Sequence, residues 1–456
     1  MKSLRVSLAV AMALSGSAYA VDLANIKVSG QATLYYQTME NNPQAPWYAI
    51  GGTADKTIDD DKGLFHKDAS LANVGLSVNF SADLGYDFSF GARLNVLETL
   101  GLEHNLVSGT MQSIKGSADN DNLNVRTSIT GTGSANLKDT GLMADDEWYW
   151  GEAYLVKKMG SSLIKAGRQS LDTPLVYSED WNVLPNTFDA VVAVNQAVPN
   201  LTLIGAYVSK GNSHKTLGQF NTLAGGLAVD GAYAVAGVYG VGQLKAQAWY
   251  YTVPTVADAF WADVNTDLNG VKLTAQLASF MWDSELQKAL KTATQEADDT
   301  MAYALRVSYK VAPTTNLCVA ISQTTGDQKS HNIANVGTGV KTKLVTATIS
   351  GDGDVAGATD TTSMKFTLIQ GFGNANEFGS ASLSYAQYQH GEDSTSSFKD
   401  ETASVIEAVY KHKYLGVDML AAYIYDKNVN GWTVKKVGET ESEAASTVRV
   451  VARYNF

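Results

Sequence analysis

Residues Ser446–Phe456 read Ser-Thr-Val-Arg-Val-Val-Ala-Arg-Tyr-Asn-Phe and close the sequence. Val448, Val450, Ala452, Tyr454 and Phe456 fall on one face of a period-two pattern, and Thr447, Arg449, Val451, Arg453 and Asn455 on the other. Such alternation marks a strand with one apolar and one polar face. The apolar face ends in two aromatics, as it does where hydrocarbon gives way to headgroups. If this strand crosses a bilayer, its facing follows from energy. An arginine at the lipid midplane of a barrel costs about 2–4 kcal/mol. Arg449 and Arg453 are therefore expected on the water side, with the apolar face outward, the reverse of a soluble sheet.

The same pattern recurs upstream. Eighteen strand-like stretches run from Asn25 to the end, the weakest at 161–168, 226–239 and 257–264. Near residue 300, Met301, Tyr303, Leu305, Val307 and Tyr309 would face lipid, and Ala302, Ala304, Arg306, Ser308 and Lys310 the interior. The same parity puts Arg93, Lys245, Lys272, Lys365 and Lys411 inside. Connections alternate between tight turns, such as Asn269-Gly270 and Leu415-Gly416, and long loops, such as 99–146 and 326–360. An even number of strands with short turns at one end and long loops at the other describes an all-β, transmembrane antiparallel β-barrel of eighteen strands, with periplasmic turns and extracellular loops. Aromatics near strand ends, among them Tyr35, Phe80, Trp148, Trp249, Trp282, Tyr309 and Tyr410, are candidates for an interfacial girdle.

Residues 1–20 read as a secretory signal: Lys2 and Arg5, an apolar run from Val6 to Leu14, and Ala18-Tyr19-Ala20 as cleavage site. The barrel then occupies 21–456. Removing Lys2 and Arg5 leaves 32 basic against 46 acidic residues, a net charge of −14, which argues against nucleic acid as a partner. The single cysteine, Cys318, permits no intrachain disulfide and no thiol cluster, and reads as a small packed residue. A closed sheet is one way to hold such an exported chain together.

Between 163 and 208 stand Gly167-Arg168-Gln169, Asp172-Thr173-Pro174 and Leu184-Pro185-Asn186-Thr187-Phe188, the last re-entering a strand. This stretch resembles the OprD-like porins and the Campylobacter-type major outer-membrane porins. The close match covers about a tenth of the chain. The resemblance implies a homotrimer in the bacterial outer membrane, with the loop at 169–185 folded into the pore. It also implies that the Tyr454 and Phe456 end is read as an assembly signal by the barrel-assembly machinery. Glu179-Asp180-Trp181 departs from that pattern, where a basic residue often stands, so substrate preference does not carry over.

A porin does no bond chemistry; a charged constriction sorts solutes. Asp172, Glu179 and Asp180 supply negative charge on the loop, which Pro174 and Pro185 stiffen. Arg93, Arg168, Arg306, Lys310, Arg449 and Arg453 would face them from the wall. Opposed charges give a transverse field; alternatively, the acids pair with wall arginines and hold the loop down. Glu152 would face the interior if Tyr149, Ala153 and Leu155 face lipid, and could join Asp172 or Glu179 in an oxygen cluster able to take Ca²⁺. No other cofactor is expected. Gly351-Asp352-Gly353-Asp354 and Asp59-Asp60-Asp61 lack the spaced ligands of an EF-hand and read as solvated outer loops. The six histidines show no paired metal-ligand spacing, and no Gly-x-Ser-x-Gly elbow appears. The expected function is passive diffusion of ions and small hydrophilic solutes, with a weak cation preference. The alternatives are a surface adhesin or receptor using loops 99–146 and 326–360, and an outer-membrane barrel hydrolase.

Overall fold

The computed structural model of the chain describes residues 26–40, 63–66, 69–98, 100, 106–107, 110–112, 147–212, 217–218, 220–221, 223, 229–290, 297–429 and 444–456. Residues 1–20 (expected as a signal), Asp59-Asp60-Asp61 and most of the 99–146 loop lie outside these residues.

One sheet contains nineteen strands. They are β1 Lys27–Met39, β2 Ser70–Gly85, β3 Phe88–Glu98, β4 Glu147–Met159, β5 Ser162–Gln169, β6 Phe188–Asn195, β7 Leu201–Asn212, β8 Phe220–Asn221, β9 Ala232–Val241 and β10 Leu244–Val253. The rest are β11 Ala257–Leu268, β12 Val271–Trp282, β13 Thr300–Ala312, β14 Thr315–Thr324, β15 Thr361–Gly371, β16 Ser380–His390, β17 Thr402–Tyr414, β18 Val417–Lys427 and β19 Ala445–Asn455. β8 is only a two-residue extension beside the end of β7, so eighteen strands form the wall. Each pairs antiparallel with its neighbours in sequence, β7 passing directly to β9. β1 closes the ring on β19, in register from Gln31–Asn455 to Met39–Thr447. All eighteen expected stretches are strands. The one at 226–239 starts only at Ala232, and the one at 257–264 runs on to Leu268.

The sheet is inside out, as its alternation dictates. In β13, Met301, Tyr303, Leu305, Val307 and Tyr309 are exposed on the outer face, while Thr300, Ala302 and Ala304 are buried inside. In β19, Val450, Tyr454 and Phe456 are exposed, and Thr447, Arg449 and Val451 are buried. Trp148, Tyr309, Tyr410, Tyr454 and Phe456 join the exposed outer surface, but Tyr35 and Trp249 are buried and leave the girdle. Tight turns keep β-hairpin chemistry: Asn269 (φ 55°) and Gly270 (φ 91°) both sit in the left-handed region that a two-residue type I′ turn requires.

One strand face and one loop depart from expectation in the fold itself. Tyr149 is buried inside rather than facing lipid. A bulge opposite Arg93 and Leu94, where the register skips Gly151, reverses the parity of β4 below Glu152. Glu152 therefore faces inward, and so does Tyr149. The 326–360 loop is not a solvated outer loop. Ile333, Leu344, Val355, Ala356 and Ala358 are buried, and the first four pack in two interior clusters with wall residues such as Trp261, Phe280, Tyr388 and Val405. Its apolar side chains have nowhere to go but into the barrel mouth. A one-sided short helix, α1 (Ser284–Leu290), stands in the 283–299 connection.

Candidate functional site

Two loops therefore enter the barrel. The first joins β5 to β6, and the second joins β14 to β15. Between them and the wall lies a cavity of about 780 Å³. Asp172, Tyr177, Asp180 and Trp181 line it from the first loop, Lys341, Lys343 and Asp352 from the second, and Arg93, Lys365 and Glu407 from the wall.

The first loop is nailed down at both ends. Ser170 donates its backbone N–H (3.0 Å) and its hydroxyl (2.5 Å) to Glu152, while Arg93 donates to Ser170 Oγ (2.8 Å) and pairs with Glu152. Farther along, Arg453 donates to the carbonyls of Asp180 (2.7 Å) and Asn182 (3.0 Å). Arg449 donates to Gln37 Oε1 (3.0 Å) and lies 5.4 Å from the Trp181 ring centroid. So Arg93, Arg449 and Arg453 do meet the loop, chiefly through its backbone and its aromatic ring.

The acids part company. Asp172 is 91% exposed at its side chain and is bridged to Lys343 at 2.5 Å. Asp180 is exposed. Glu179 is buried and accepts hydrogen bonds from Trp181 Nε1 (2.9 Å), Asn335 Nδ2 (2.9 Å) and the Thr338 hydroxyl. Glu152, Asp172 and Glu179 are thus each taken by a different partner, and the Ca²⁺ cluster expected from them does not form. Among the described residues no group of three or more His, Cys, Asp or Glu is placed to hold a metal ion.

Three wall bases lie elsewhere. Arg306 donates to Thr274 (3.1 Å), and Lys310 lines a cavity of about 330 Å³ with Lys272 beside Pro313 and Thr314 at a tight turn. Arg168 pairs with Asp189 at 2.8 Å and lies under the Phe220 ring at 3.3 Å. Its register partners are Ala153 and Asp189. The adjacent pair Gln169 and Phe188 is buried inside, so alternation turns Arg168 to the outer face. The expected facing fails there because the strand is short and its sequence, Ser-Leu-Ile-Lys-Ala-Gly-Arg-Gln, does not alternate cleanly between apolar and polar residues.

Lys341, Lys343 and Asp352 were not anticipated. The run of valines, leucine, isoleucine and alanines around them is unlike a solvated loop, and that was the available signal. Lys341 pairs with buried Asp352 and lies over Trp181, and Lys343 lies over Tyr177 at 4.6 Å. Burial pushes the Asp352 carboxyl up to about 6 against the pull of Lys341, and burial does the same to Asp354. A carboxyl whose folded value is raised binds its proton more tightly in the folded loop. Its contribution is complete below about pH 4 and is lost as pH rises through about 6. The heat-unfolding midpoint of the protein is expected to fall between pH 4 and pH 7. Asp352→Asn should flatten that slope; an unchanged slope would show that Asp352 is not its source.

Residues 122–351, half of the chain, match the sequence model of the outer membrane porin OprD family. No curated protein matches significantly. Among solved structures, OccK1 (OpdK) of Pseudomonas aeruginosa superposes with a TM-score of 0.67 at 12% identity, covering 95% of this chain and 99% of that one. OccAB3 of Acinetobacter baumannii gives 0.66 at 12% identity, covering 95% and 100%. A further structure of Pseudomonas aeruginosa OpdK, determined with vanillate, gives 0.65 at 12% identity, covering 95% and 99%.

Proposed function

Because the chain belongs to the OprD family of outer membrane porins, we propose that it forms a passive, water-filled channel for ions and small hydrophilic solutes, with a charged constriction and a weak cation preference. Its place is the outer membrane, and the family works as channels rather than enzymes. The observation that carries the reading is the cavity between the two inward loops, onto which the exposed carboxylates of Asp172 and Asp180 open. Arg93 is paired with Glu152, Lys341 with Asp352 and Lys343 with the exposed Asp172, which leaves Asp180 as the exposed carboxylate outside these pairs.

Export after removal of residues 1–20, insertion by the barrel-assembly machinery through the Tyr454 and Phe456 end, and assembly as a homotrimer complete the proposal. The outward pair Arg168–Asp189 supports a subunit contact, because a neighbouring chain would screen it from hydrocarbon better than lipid does.

Single-channel recording in a planar bilayer under a salt gradient tests this. Stepwise currents with a cation-directed reversal potential are expected. Asp172→Asn with Asp180→Asn should lower the cation-to-anion permeability ratio several-fold, since a unit charge at 4 Å in water is worth about 1 kcal/mol. A folded but silent barrel would overturn the channel reading.

One second reading has support of its own. Lys272, Arg306 and Lys310 stand on the inner wall, and the vanillate in the OpdK structure is an organic acid. They would suit organic anions, and an anion-directed reversal potential would favour that substrate class.

A further inference from the structure

We propose that Glu179 is a positioning residue: it fastens the second pore loop onto the first and thereby sets the width of the channel. The inference rests on the channel reading and assigns this acid a different task from Asp172 and Asp180.

Glu179 lies at the junction of the two loops and is only 3% exposed. One carboxylate oxygen takes Asn335 Nδ2 at 2.9 Å and the Thr338 hydroxyl, both from the second loop. The other takes Trp181 Nε1 at 2.9 Å, from its own loop. Its backbone N–H is held by Asn186 Oδ1 at 2.7 Å. The partner side is equally complete. Asn335 is fully buried, and it reads the first loop's backbone at Tyr177, accepting from the N–H (3.2 Å) and donating to the carbonyl (2.8 Å). A backbone bond from Val336 N–H to Leu175 O (2.8 Å) runs beside it. Gly337 lies so close to Phe188 that a Cβ there would stand 2.6 Å from the ring. Each loop is thus the other's hydrogen-bond partner at a largely buried edge of the cavity.

The second link between the loops is of another kind. The Asp172–Lys343 pair is largely exposed, and salt screens exposed pairs within about 3 Å at 1 M. Buried hydrogen bonds are not screened in that way. The Glu179 junction is therefore the link that salt weakens less. Lys341 also hangs from it, because Asn335 N–H donates to the Lys341 carbonyl at 2.7 Å. Losing the junction removes the tie to the first loop from the segment that carries both pore lysines, leaving its hold on the wall through Gln276, which donates to the Lys343 carbonyl at 2.9 Å.

The test compares Glu179→Ala, Glu179→Gln and Thr338→Val, each checked for a closed barrel by heat-modifiable gel migration. Glu179→Ala should raise unitary conductance at least twofold, with added open-channel noise, and expose the bonds after Lys341 and Lys343 to trypsin. Thr338→Val, which removes one donor and threatens folding least, should move both readouts in the same direction but less. Glu179→Gln keeps one acceptor and should fall between, with the wild-type reversal potential. Unchanged conductance and trypsin resistance in Glu179→Ala would overturn the inference. So would a shifted reversal potential in Glu179→Gln at wild-type conductance, which would make Glu179 a selectivity charge. If the wild type passes no current, the channel reading falls, while trypsin still reports whether Glu179 fastens the loop.

Discussion

Gly30→Val is expected to yield little or no closed barrel. Gly30 exchanges two backbone hydrogen bonds with Phe456, at 2.8 and 3.0 Å, where the ring of strands closes. A Cβ on Gly30 would stand 2.3 Å from the Phe456 ring and 2.6 Å from the Ser77 carbonyl oxygen. The ring can swing away; the backbone oxygen of the neighbouring strand cannot. Opening the β1–β19 seam would unpair nine residue pairs, and each unsatisfied backbone group in hydrocarbon costs several kcal/mol. Folded yield and heat-modifiable migration measure the outcome. Adding Phe456→Ala should restore only part of the loss, because the contact with Ser77 remains. Wild-type yield of Gly30→Val would show that the seam tolerates a side chain and that closure is set elsewhere.

The second large effect concerns Arg93. Its pair with Glu152 is nearly enclosed, with side-chain exposures of 13% and 14%. Removing one member of such a pair strands the other charge, typically at about 3–5 kcal/mol. Arg93→Ala should therefore destabilise the protein by about that amount in urea unfolding. Ser170 loses its Arg93 donor as well, so the start of the first pore loop should loosen and the conductance become noisier. Joint replacement, Arg93→Met with Glu152→Leu, should recover most of the stability, because neither charge is then left alone. Should Arg93→Ala unfold within about 0.5 kcal/mol of wild type, solvent reaches the pair and the anchoring argument fails.

How far the sequence carries differs between wall and loops. Period-two alternation is a one-dimensional signal, and a barrel wall obeys it strand by strand. Val448 to Phe456 announced the outward face of β19, and Met301 to Tyr309 that of β13, before any coordinate was known. The alternation of tight turns and long loops gave the antiparallel order, and the cost of a lipid-facing arginine gave the facing. Parity failed at the Gly151 bulge, where the register shifts, and at Arg168, where the register is unbroken but the short strand Ser162–Gln169 alternates too weakly in sequence to be read.

The candidate site is another matter. The sequence pointed to the first inward loop and to several side chains on it or touching it, including Asp172, Asp180, Arg93 and Arg453, but not to what each one does. Arg453 holds carbonyls, and Glu179 holds Asn335, 156 residues away. The second loop was misjudged because its anchoring partners lie on distant strands and on the first loop. So the sequence alone determined an inside-out, eighteen-stranded closed wall, because strand facing is settled by neighbours one and two residues away. Only the tertiary structure decided which charges stay open to the pore. That depends on hydrogen-bond partners brought together across the barrel, and no local pattern records them.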